Sequence, residues 1–176
     1  MAETLTHGVL VEVEGLGLLL RGNSGAGKSE LAIELLSRGH KLIADDAVEW
    51  HVGDNNRLIG RCPALLSGFV EVRGLGILDA RALYGDSAVI EQTALDLVID
   101  LDRRDEPSAE ERLGGRRGRF VLLGQTVPEI SLPQRLGHNL AVLVEAACRD
   151  HKLRLAGYCA DQVLVERQLR CLESNL

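Results

Sequence analysis

The sequence predicts an α/β fold, in the wider sense that includes α+β arrangements with a mixed sheet. Of the 176 residues, 45% are hydrophobic but only 3% are aromatic, so the core has to be aliphatic. A core rich in Leu, Val, Ile and Ala suits strands that are covered by helices. An apolar strand and a helix also flank a glycine-rich loop, and the length suffices for one core. We therefore expect a single domain over residues 1–176.

The glycine-rich loop fits the phosphate-binding pattern G-x-x-x-x-G-K-[ST]. It consists of Gly22, Asn23, Ser24, Gly25, Ala26, Gly27, Lys28 and Ser29. Its glycines let successive N–H groups point inward at the start of a helix, where the helix dipole adds positive potential. Residues 16–21 predict the strand before the loop, and residues 30–38 predict the helix after it, with Gly39 at the stop position. The sequence therefore predicts a nucleoside triphosphate site.

Short extended segments dominate the rest of the first two thirds of the chain. Residues 7–14 alternate in polarity and predict one strand that pairs antiparallel with the strand before the loop. Further strands are predicted at 40–44, 47–52, 57–61 and 95–101, an extended glycine-punctuated segment at 68–77, and a brief helix at 79–84 capped by Asp79.

The last third begins with a segment of high charge. Residues 103–119 contain six arginines, four acidic residues and three glycines, which predicts a long exposed loop. Strands are predicted at 119–123 and 127–132, a helix that is apolar on nearly every side and therefore buried at 139–149, and a final helix at 161–172.

Charge and cysteine spacing disfavour several classes of function. The net charge of −6 argues against nonspecific binding to nucleic acid or membranes, which are themselves anionic. No stretch approaches the roughly 18 apolar residues of a membrane span, and the N-terminus does not resemble a signal peptide, so we expect a cytoplasmic protein. Cys62, Cys148, Cys159 and Cys171 show no C-x-x-C spacing, which disfavours a zinc site.

Phosphoryl transfer needs oxygen ligands for Mg²⁺ and a proton acceptor. Lys28 is expected to bridge the phosphate oxygens, and Ser29 to ligate Mg²⁺. Asp45 and Asp46 follow a short strand directly after the loop helix. Adjacent strand residues point to opposite faces, so one aspartate would face the phosphates and the other would support the structure, and position alone leaves the choice open. Asp100 is a further candidate Mg²⁺ ligand, or a capping or turn residue.

Four ordered blocks of the sequence closely resemble the HPr kinase/phosphorylase family. They are HGVLV from His7, GNSGAGKSE from Gly22, RGHKLIADD ending at Asp46, and VEVRGLGI from Val70. The resemblance covers about residues 5–160, which correspond to the catalytic domain of that family. The chain looks like a short form without the N-terminal domain of many members.

The resemblance implies a serine kinase that uses ATP and Mg²⁺ to phosphorylate the phosphocarrier protein HPr of the phosphotransferase system, and that reverses this with inorganic phosphate. It implies a P-loop phosphotransferase core similar to phosphoenolpyruvate carboxykinase, and a homo-oligomer, specifically a hexamer. Asp46 corresponds to the proton acceptor of the kinase reaction. The implied site residues are His7, Lys28, Asp46 and Arg112 for catalysis, and Ser29 and Glu71 for Mg²⁺.

Two alternatives stay open. A P-loop kinase for a small molecule would share the loop and Asp46 but would not need residues 68–78 as a protein-docking surface. A nucleotide-binding sensor without turnover would not need Asp46, Glu71 and Arg112, whose presence therefore speaks against it.

One segment departs from the family pattern. A proline, a basic residue and Gly-Arg-Asn are associated with dephosphorylation in the family, whereas residues 133–139 read PQRLGHN. His138 replaces the arginine, and a histidine is mostly neutral at pH 7 and lacks the guanidinium fork. Capture of phosphate or phosphoserine should weaken, so kinase activity is better supported than phosphorylase activity.

We predict that the protein phosphorylates HPr readily but dephosphorylates it poorly, because the neutral His138 imidazole cannot hold an anion as arginine does. Phosphorylase activity should be higher near pH 6 than at pH 8, and His138→Arg should raise it at both. The measurement is pyrophosphate release from phosphoserine-HPr at ~1 mM phosphate. A wild-type phosphorylase rate that equals the kinase rate at pH 8, and does not change in His138→Arg, would contradict this prediction.

Overall fold

A large mixed sheet forms the centre of the computed structural model, which describes residues 4–102, 107–133 and 139–173. The strands are β1 (Thr4–His7), β2 (Val9–Val13), β3 (Leu16–Arg21), β4 (Lys41–Ala44), β5 (Ala47–Val52), β6 (Leu58–Arg61), β7 (Phe69–Val72), β8 (Gly76–Asp79), β9 (Gln92–Asp102), β10 (Arg116–Leu122) and β11 (Gln125–Pro133). The α-helices are α1 (Lys28–Ser37), α2 (Ala80–Tyr84), α3 (Ala109–Gly114), α4 (Leu140–Leu155) and α5 (Ala160–Glu173).

The long strand β9 organises this sheet because it pairs with three other strands. β3 and β11 run parallel to β9, and β6 runs antiparallel to its first residues. β2 and β4 continue the sheet beyond β3, whereas β5 and β1 continue it beyond β6. β7 and β8 form a separate hairpin. The mixed sheet with its helices confirms the predicted α/β class.

The central strands are buried on both faces. In β3, Leu18 and Leu20 pack into a cluster shared with α1 and α4, whereas Leu19 packs into a second cluster around Trp50. A strand that is covered on both sides has to be apolar along its length rather than alternating. This burial explains why residues 16–21 form a strand, and it fixes the position of the loop that follows.

The strand predicted over residues 7–14 is confirmed for Val9–Val13, but its start is wrong, because Gly8 separates it from β1, which ends at His7. Gly8 has a φ of 153°, and a Cβ there would lie 2.8 Å from Leu19 Cδ1 and 3.0 Å from Leu20 O. β2 pairs with β3 as predicted, but β1 pairs with β5. The division places His7 at the end of a different strand pair, beside the residues that precede β5.

The exposed loop predicted over residues 103–119 is wrong for most of its length. Residues 109–114 form α3 and β10 begins at Arg116, while residues 103–106 lie outside the described residues. α3 begins with a capping box, in which Ser108 Oγ accepts from the Glu111 N–H at 3.2 Å and Glu111 Oε2 accepts from the Ser108 N–H at 2.8 Å. The S-x-x-E pattern of a helix start was therefore present among the charges.

The helix α4 is longer than predicted and is buried on one face only. Ala141, Val144 and Cys148 lie in the core, whereas Val142 and Leu155 are 45% and 72% exposed. The prediction that this helix is buried on nearly every side is therefore wrong. Its apolar residues are spread around the helix, but the fully buried ones form a stripe at i, i+3 and i+7, with Leu140 and Ala147 partly buried beside it.

A charge cluster joins α1 to α4. The two carboxylate oxygens of Glu145 accept from Arg38 at 2.8 and 2.7 Å, and Glu145 Oε1 lies 2.8 Å from His40 Nε2. The hydrogen bonds from Arg38, and then from His40, lower the pKa of Glu145 to about 2. This bidentate pair fixes the C-terminal end of the helix that follows the phosphate loop.

The last helix, α5, has no buried residue in the structure. Its apolar side chains include Leu164, Leu169 and Leu172, all of which are exposed. Asp161 at its start accepts from Arg154 of α4 at 2.7 Å. Among the helices of the described ranges, none combines the length and the hydrophobicity that crossing a membrane requires.

Candidate nucleotide and phosphoryl-transfer site

The phosphate loop lies between the end of β3 and the start of α1. Gly22, Gly25 and Gly27 all have positive φ, at 142°, 79° and 82°, as a loop that bends its N–H groups inward requires. The Ala26 N–H donates to Asn23 O at 3.0 Å and closes a tight turn. No side chain caps α1 at Gly27, so this described helix start leaves its first N–H groups to a ligand.

The start of the loop is fixed to the sheet. Arg21 Nη1 donates to Glu129 Oε2 of β11 at 3.0 Å, and its guanidinium lies 4.8 Å from the centre of the Phe120 ring of β10. A Cβ on Gly22 would lie only 3.0 Å from Leu101 O of β9. The loop backbone therefore packs directly against the central strand, and only glycine allows this approach.

The Lys28 side chain folds back over its own loop. Its Nζ donates to Gly22 O at 2.9 Å and to Asn23 O at 3.1 Å. Both acceptors are backbone carbonyls of the loop, so the ammonium sits over the space that the N–H groups border. A bound phosphate would compete with these carbonyls for the ammonium group.

Asp45 is the aspartate that supports the structure. Ser29 Oγ donates to Asp45 Oδ1 at 2.8 Å, and the Glu71 N–H donates to Asp45 Oδ2 at 2.9 Å. Asp45 is only 7% exposed. Burial raises the pKa of the Asp45 carboxyl, although the hydrogen bonds from Glu71 and Ser29 act in the opposite direction. Both oxygens of this carboxylate accept hydrogen bonds from other residues of the protein.

Asp46 is the aspartate of the pair whose side chain is exposed in the cleft. Its side chain is 78% exposed, and its Oδ1 lies 3.6 Å from His7 Nδ1. Its φ of 67° is in the left-handed region, and its carbonyl accepts from the Gly8 N–H at 3.1 Å, which keeps His7 beside it. Both aspartates lie in a bend between β4 and β5 rather than in a strand. The division of roles follows from this bend, and not from strand alternation.

The hairpin β7–β8 forms another wall of the cleft. Val70 and Val72 are buried, so Glu71 and Arg73 point the other way and line the cleft. The sequence analysis selected Glu71 but missed Arg73. No local pattern marks it, because β7 ends at Val72 and Arg73 lies in the following turn, so its place in the cleft depends on how the hairpin folds.

The walls enclose a cleft of about 480 Å³. The predicted site residues that line it are His7, Gly22, Ser24, Gly25, Gly27, Lys28, Ser29, Asp46 and Glu71. Asn23 and Ala26 are the loop residues absent from this lining, and the buried Ala26 packs beneath the loop. The structure therefore gathers residues from four separate stretches of sequence around one space.

Two of the candidate residues are described in the structure but do not line the cleft. Arg112 is exposed in the last turn of α3, and Asp100 lies within β9, where it pairs in register with Arg21 and Ser131. Asp100 therefore sits in the sheet behind the loop start. The role of Arg112 stays a prediction.

The side chains of the cleft suit Mg²⁺ bound together with a nucleotide. No group of three or more His, Cys, Asp and Glu side chains in the described ranges is placed to hold a metal ion by itself. Mg²⁺ is commonly bound through one or two protein oxygens together with substrate phosphates and water. Ser29 and Glu71 offer a hydroxyl and a carboxylate in the same cleft. Both are the hard oxygen donors that this ion prefers.

The comparisons of this chain with known proteins agree on one family. The model of the HPr Serine kinase C-terminal domain matches residues 1–168. The HPr kinase/phosphorylase of Azoarcus sp. (strain BH72) is 48% identical over 177 residues, which cover 98% of this chain and 56% of that protein. The HPr kinase/phosphorylase of Levilactobacillus brevis is 41% identical over 169 residues, which cover 96% and 54%. The chain thus spans little more than half the length of these curated relatives.

The fold of this chain is also similar to that of a protein with a solved structure. The HPr(Ser) kinase/phosphatase from Coxiella burnetii is 35% identical and superimposes with a TM-score of 0.83. The match covers 88% of this chain and 94% of that chain.

Proposed function

The chain belongs to the family of HPr Serine kinase C-terminal domains, and from this premise we propose that it is an ATP- and Mg²⁺-dependent serine kinase. Its acceptor is a serine of HPr, the protein for which its relatives are named. The observation that carries the proposal is the cleft, where a phosphate loop and the exposed Asp46 carboxylate border the same space. A nucleotide and a hydroxyl acceptor can meet there.

In this proposal the loop and Lys28 bind the phosphates of ATP. The uncapped N–H groups at the start of α1 hold phosphate oxygens, and Lys28 exchanges its contacts to Gly22 O and Asn23 O for the β- and γ-phosphates. Ser29 and Glu71 would hold Mg²⁺, which when bound offsets the negative charge of the transferred group.

Asp46 takes the proton of the serine hydroxyl as the new phosphoryl bond forms. Its exposed carboxylate can reach an entering side chain, and His7 Nδ1 at 3.6 Å helps to orient it. Arg112 offsets charge on the transferring group only after α3 has brought it to the cleft, because it does not line the cleft in this structure.

A protein acceptor is favoured over a small molecule by the hairpin β7–β8. Phe69, Leu75 and Ile77 are large apolar residues that are 45%, 70% and 65% exposed on the segment that also brings Glu71 and Arg73 to the cleft. Apolar side chains beside a catalytic cleft are typical of a surface that another macromolecule covers. A kinase for a small molecule and a sensor without turnover are the alternatives that the following experiments separate.

We predict that wild type transfers phosphate from radiolabelled ATP to HPr in the presence of Mg²⁺ and that Lys28→Ala abolishes this. Loss of the fixed cation at the β- and γ-phosphates costs about 3 kcal/mol or more in the transition state, which is on the order of a hundredfold in rate. Lys41→Ala is the matched control, because Lys41 pairs with Glu12 away from the cleft. Normal transfer by a folded Lys28→Ala protein would refute the nucleotide site.

We predict that Asp46→Asn retains ATP binding but loses phosphoryl transfer, since the amide preserves the shape of the side chain and cannot accept the serine proton. Asp45→Asn should lose less of the phosphoryl-transfer activity than Asp46→Asn does, when both are measured at saturating Mg²⁺. Equilibrium binding of a fluorescent ATP analogue and the HPr assay are measured on the same preparations, with Asp54→Asn in an exposed turn as the control. Equal losses of transfer in Asp45→Asn and Asp46→Asn would show that the base is assigned wrongly.

We further propose that the protein forms a homo-oligomer, specifically the hexamer that the family resemblance implies. The exposed apolar side chains of α5 support it, because a helix of 14 residues without a buried side chain is expected to pack against another chain. The cytoplasmic location, the single domain and the lack of nucleic-acid or membrane partners stay predictions.

We predict that Leu169→Asp in α5 lowers the molar mass that light scattering measures, because it places a charge in the apolar interface. Gln162→Glu, on the same helix but at a polar and exposed position, should leave the mass unchanged. A wild-type protein that is already monomeric would contradict the proposed assembly.

A further inference from the structure

A second cleft, the distal cleft, lies at the end of the sheet opposite the phosphate loop. β3, β9 and β11 run parallel, and the phosphate loop follows the last residue of β3. The distal cleft is found near the starts of β9 and β11, beside Leu95 and Val127. Leu95 pairs with Gly17, at the other end of β3 from Arg21. Of the described residues, none lines both clefts, so this space is separate from the nucleotide site.

The distal cleft has an apolar floor and a volume of about 250 Å³. Leu58, Leu95 and Val127 line it, and all three are buried in the core cluster around Trp50. Leu155, at the end of α4, adds apolar lining from the other side. Clefts that bind drug-sized ligands measure roughly 300–1,000 Å³, so this smaller space suits a molecule with a single ring.

The charged side chains that line the distal cleft already have partners. Arg57 Nη2 donates to Asp96 Oδ1, and Asp96 Oδ2 accepts from the Gly17 N–H at 2.9 Å. Both oxygens of the Asp96 carboxylate are therefore occupied. An entering ion could gain a counter-charge only by breaking this pair, which would leave the other charge uncompensated. The arrangement favours an uncharged occupant.

The two amide side chains of the distal cleft also satisfy each other. Asn56 Nδ2 donates to Gln125 Oε1 at 3.4 Å, and Gln125 Nε2 donates to Asn56 Oδ1 at 3.1 Å. Asn56 lies in the turn between β5 and β6, whereas Gln125 is the first residue of β11. This reciprocal pair joins two separate segments and gives the cleft a fixed polar border.

His151 differs from these residues because its imidazole lacks a hydrogen-bond partner. It lines the distal cleft from α4 and is only 7% exposed. Within the described ranges, no residue forms a hydrogen bond with either of its ring nitrogens. Buried polar side chains are nearly always paired, and a neutral imidazole offers one donor and one acceptor. A group that enters the cleft can supply the missing partner.

The imidazole of His151 is neutral at pH 7. Burial is the largest cause that lowers its pKa, and Arg117 acts in the same direction, whereas the carboxylates of Asp96 and Asp150 raise it. A neutral imidazole exchanges hydrogen bonds with uncharged groups and does not attract an anion by charge.

We propose that the distal cleft binds a small uncharged molecule that has one apolar ring and a hydroxyl group, and that the hydroxyl forms a hydrogen bond with His151. A hydroxyl suits this position because it can donate or accept, whichever ring nitrogen faces it. The apolar ring would rest on Leu58, Leu95 and Val127. The inference does not depend on the proposed function, since the nucleotide site lies at the other end of the sheet.

The test measures binding of para-fluorophenol to the full chain by fluorine NMR of the ligand. Fluorobenzene has the same ring without the hydroxyl, and para-fluorobenzoate carries a negative charge. His151→Phe removes the ring nitrogens but keeps an apolar ring, and Thr126→Phe adds bulk at an exposed position of the cleft wall. His51→Phe in β5, outside this lining, is the matched control. Fluorescence of the buried Trp50 checks that each variant is folded.

We expect wild type to bind para-fluorophenol with a Kd on the order of 1 mM, as a ligand of so few atoms allows. Fluorobenzene and para-fluorobenzoate should bind about tenfold more weakly, because one lacks the hydrogen bond and the other brings an unpaired charge. His151→Phe should lose the preference for para-fluorophenol over fluorobenzene, and Thr126→Phe should weaken binding of both. His51→Phe should match wild type.

An ATP analogue with Mg²⁺ should leave the binding of para-fluorophenol unchanged, and displacement of the probe would place it in the nucleotide site and overturn the inference. Equal binding of para-fluorophenol and fluorobenzene to wild type would also overturn it, as would no saturable binding or an unchanged preference in His151→Phe. If His151→Phe does not fold, the comparison of the three probes and the effect of Thr126→Phe decide.

Discussion

The structure depends on a helix, α1, whose start at Gly27 is capped by no side chain of the described residues. The N–H groups of a helix start are costly to bury unless something accepts their hydrogen bonds. The start of α1 is nevertheless held rigidly, because β3 is buried on both faces and Gly22 packs against Leu101 O. Glu145 fixes the other end of the helix. The fold therefore maintains an unsatisfied helix end at a defined place, where an anion can satisfy it.

The charge of the cleft follows from the same arrangement. Two basic side chains, Lys28 and Arg73, share the lining with the carboxylates of Glu30, Asp45, Asp46 and Glu71. A polyphosphate that enters this space meets repulsion as well as attraction, and the repulsion is offset when a divalent cation accompanies it. In the proposed function, the acidic lining would therefore make nucleotide binding depend on the cation, an effect of these side chains rather than of the loop alone.

The sequence was most informative where local chemistry determines structure. The phosphate loop, the strand before it and the cap at Asp79 follow from residue types that few other conformations accommodate. The position of Gly8 was not predicted as a break, because its effect comes from Leu19 and Leu20 on the neighbouring strand. The roles of Asp45 and Asp46 depend on a left-handed residue in a bend, and Arg73 joins the site only because its hairpin folds onto the loop. These features arise from tertiary contacts that no local pattern contains.

The contacts of Lys28 have a consequence for which anions the loop selects. Two of its three N–H donors contact backbone carbonyls, so an anion that engages the whole ammonium group has to replace these contacts. Under the proposed function, adjacent phosphate groups would replace both carbonyls and engage the helix N–H groups at once, which a single small anion such as chloride has too few acceptor atoms to do. In the proposed function, the contacts of Lys28 would therefore favour a chain of phosphates over small monovalent anions.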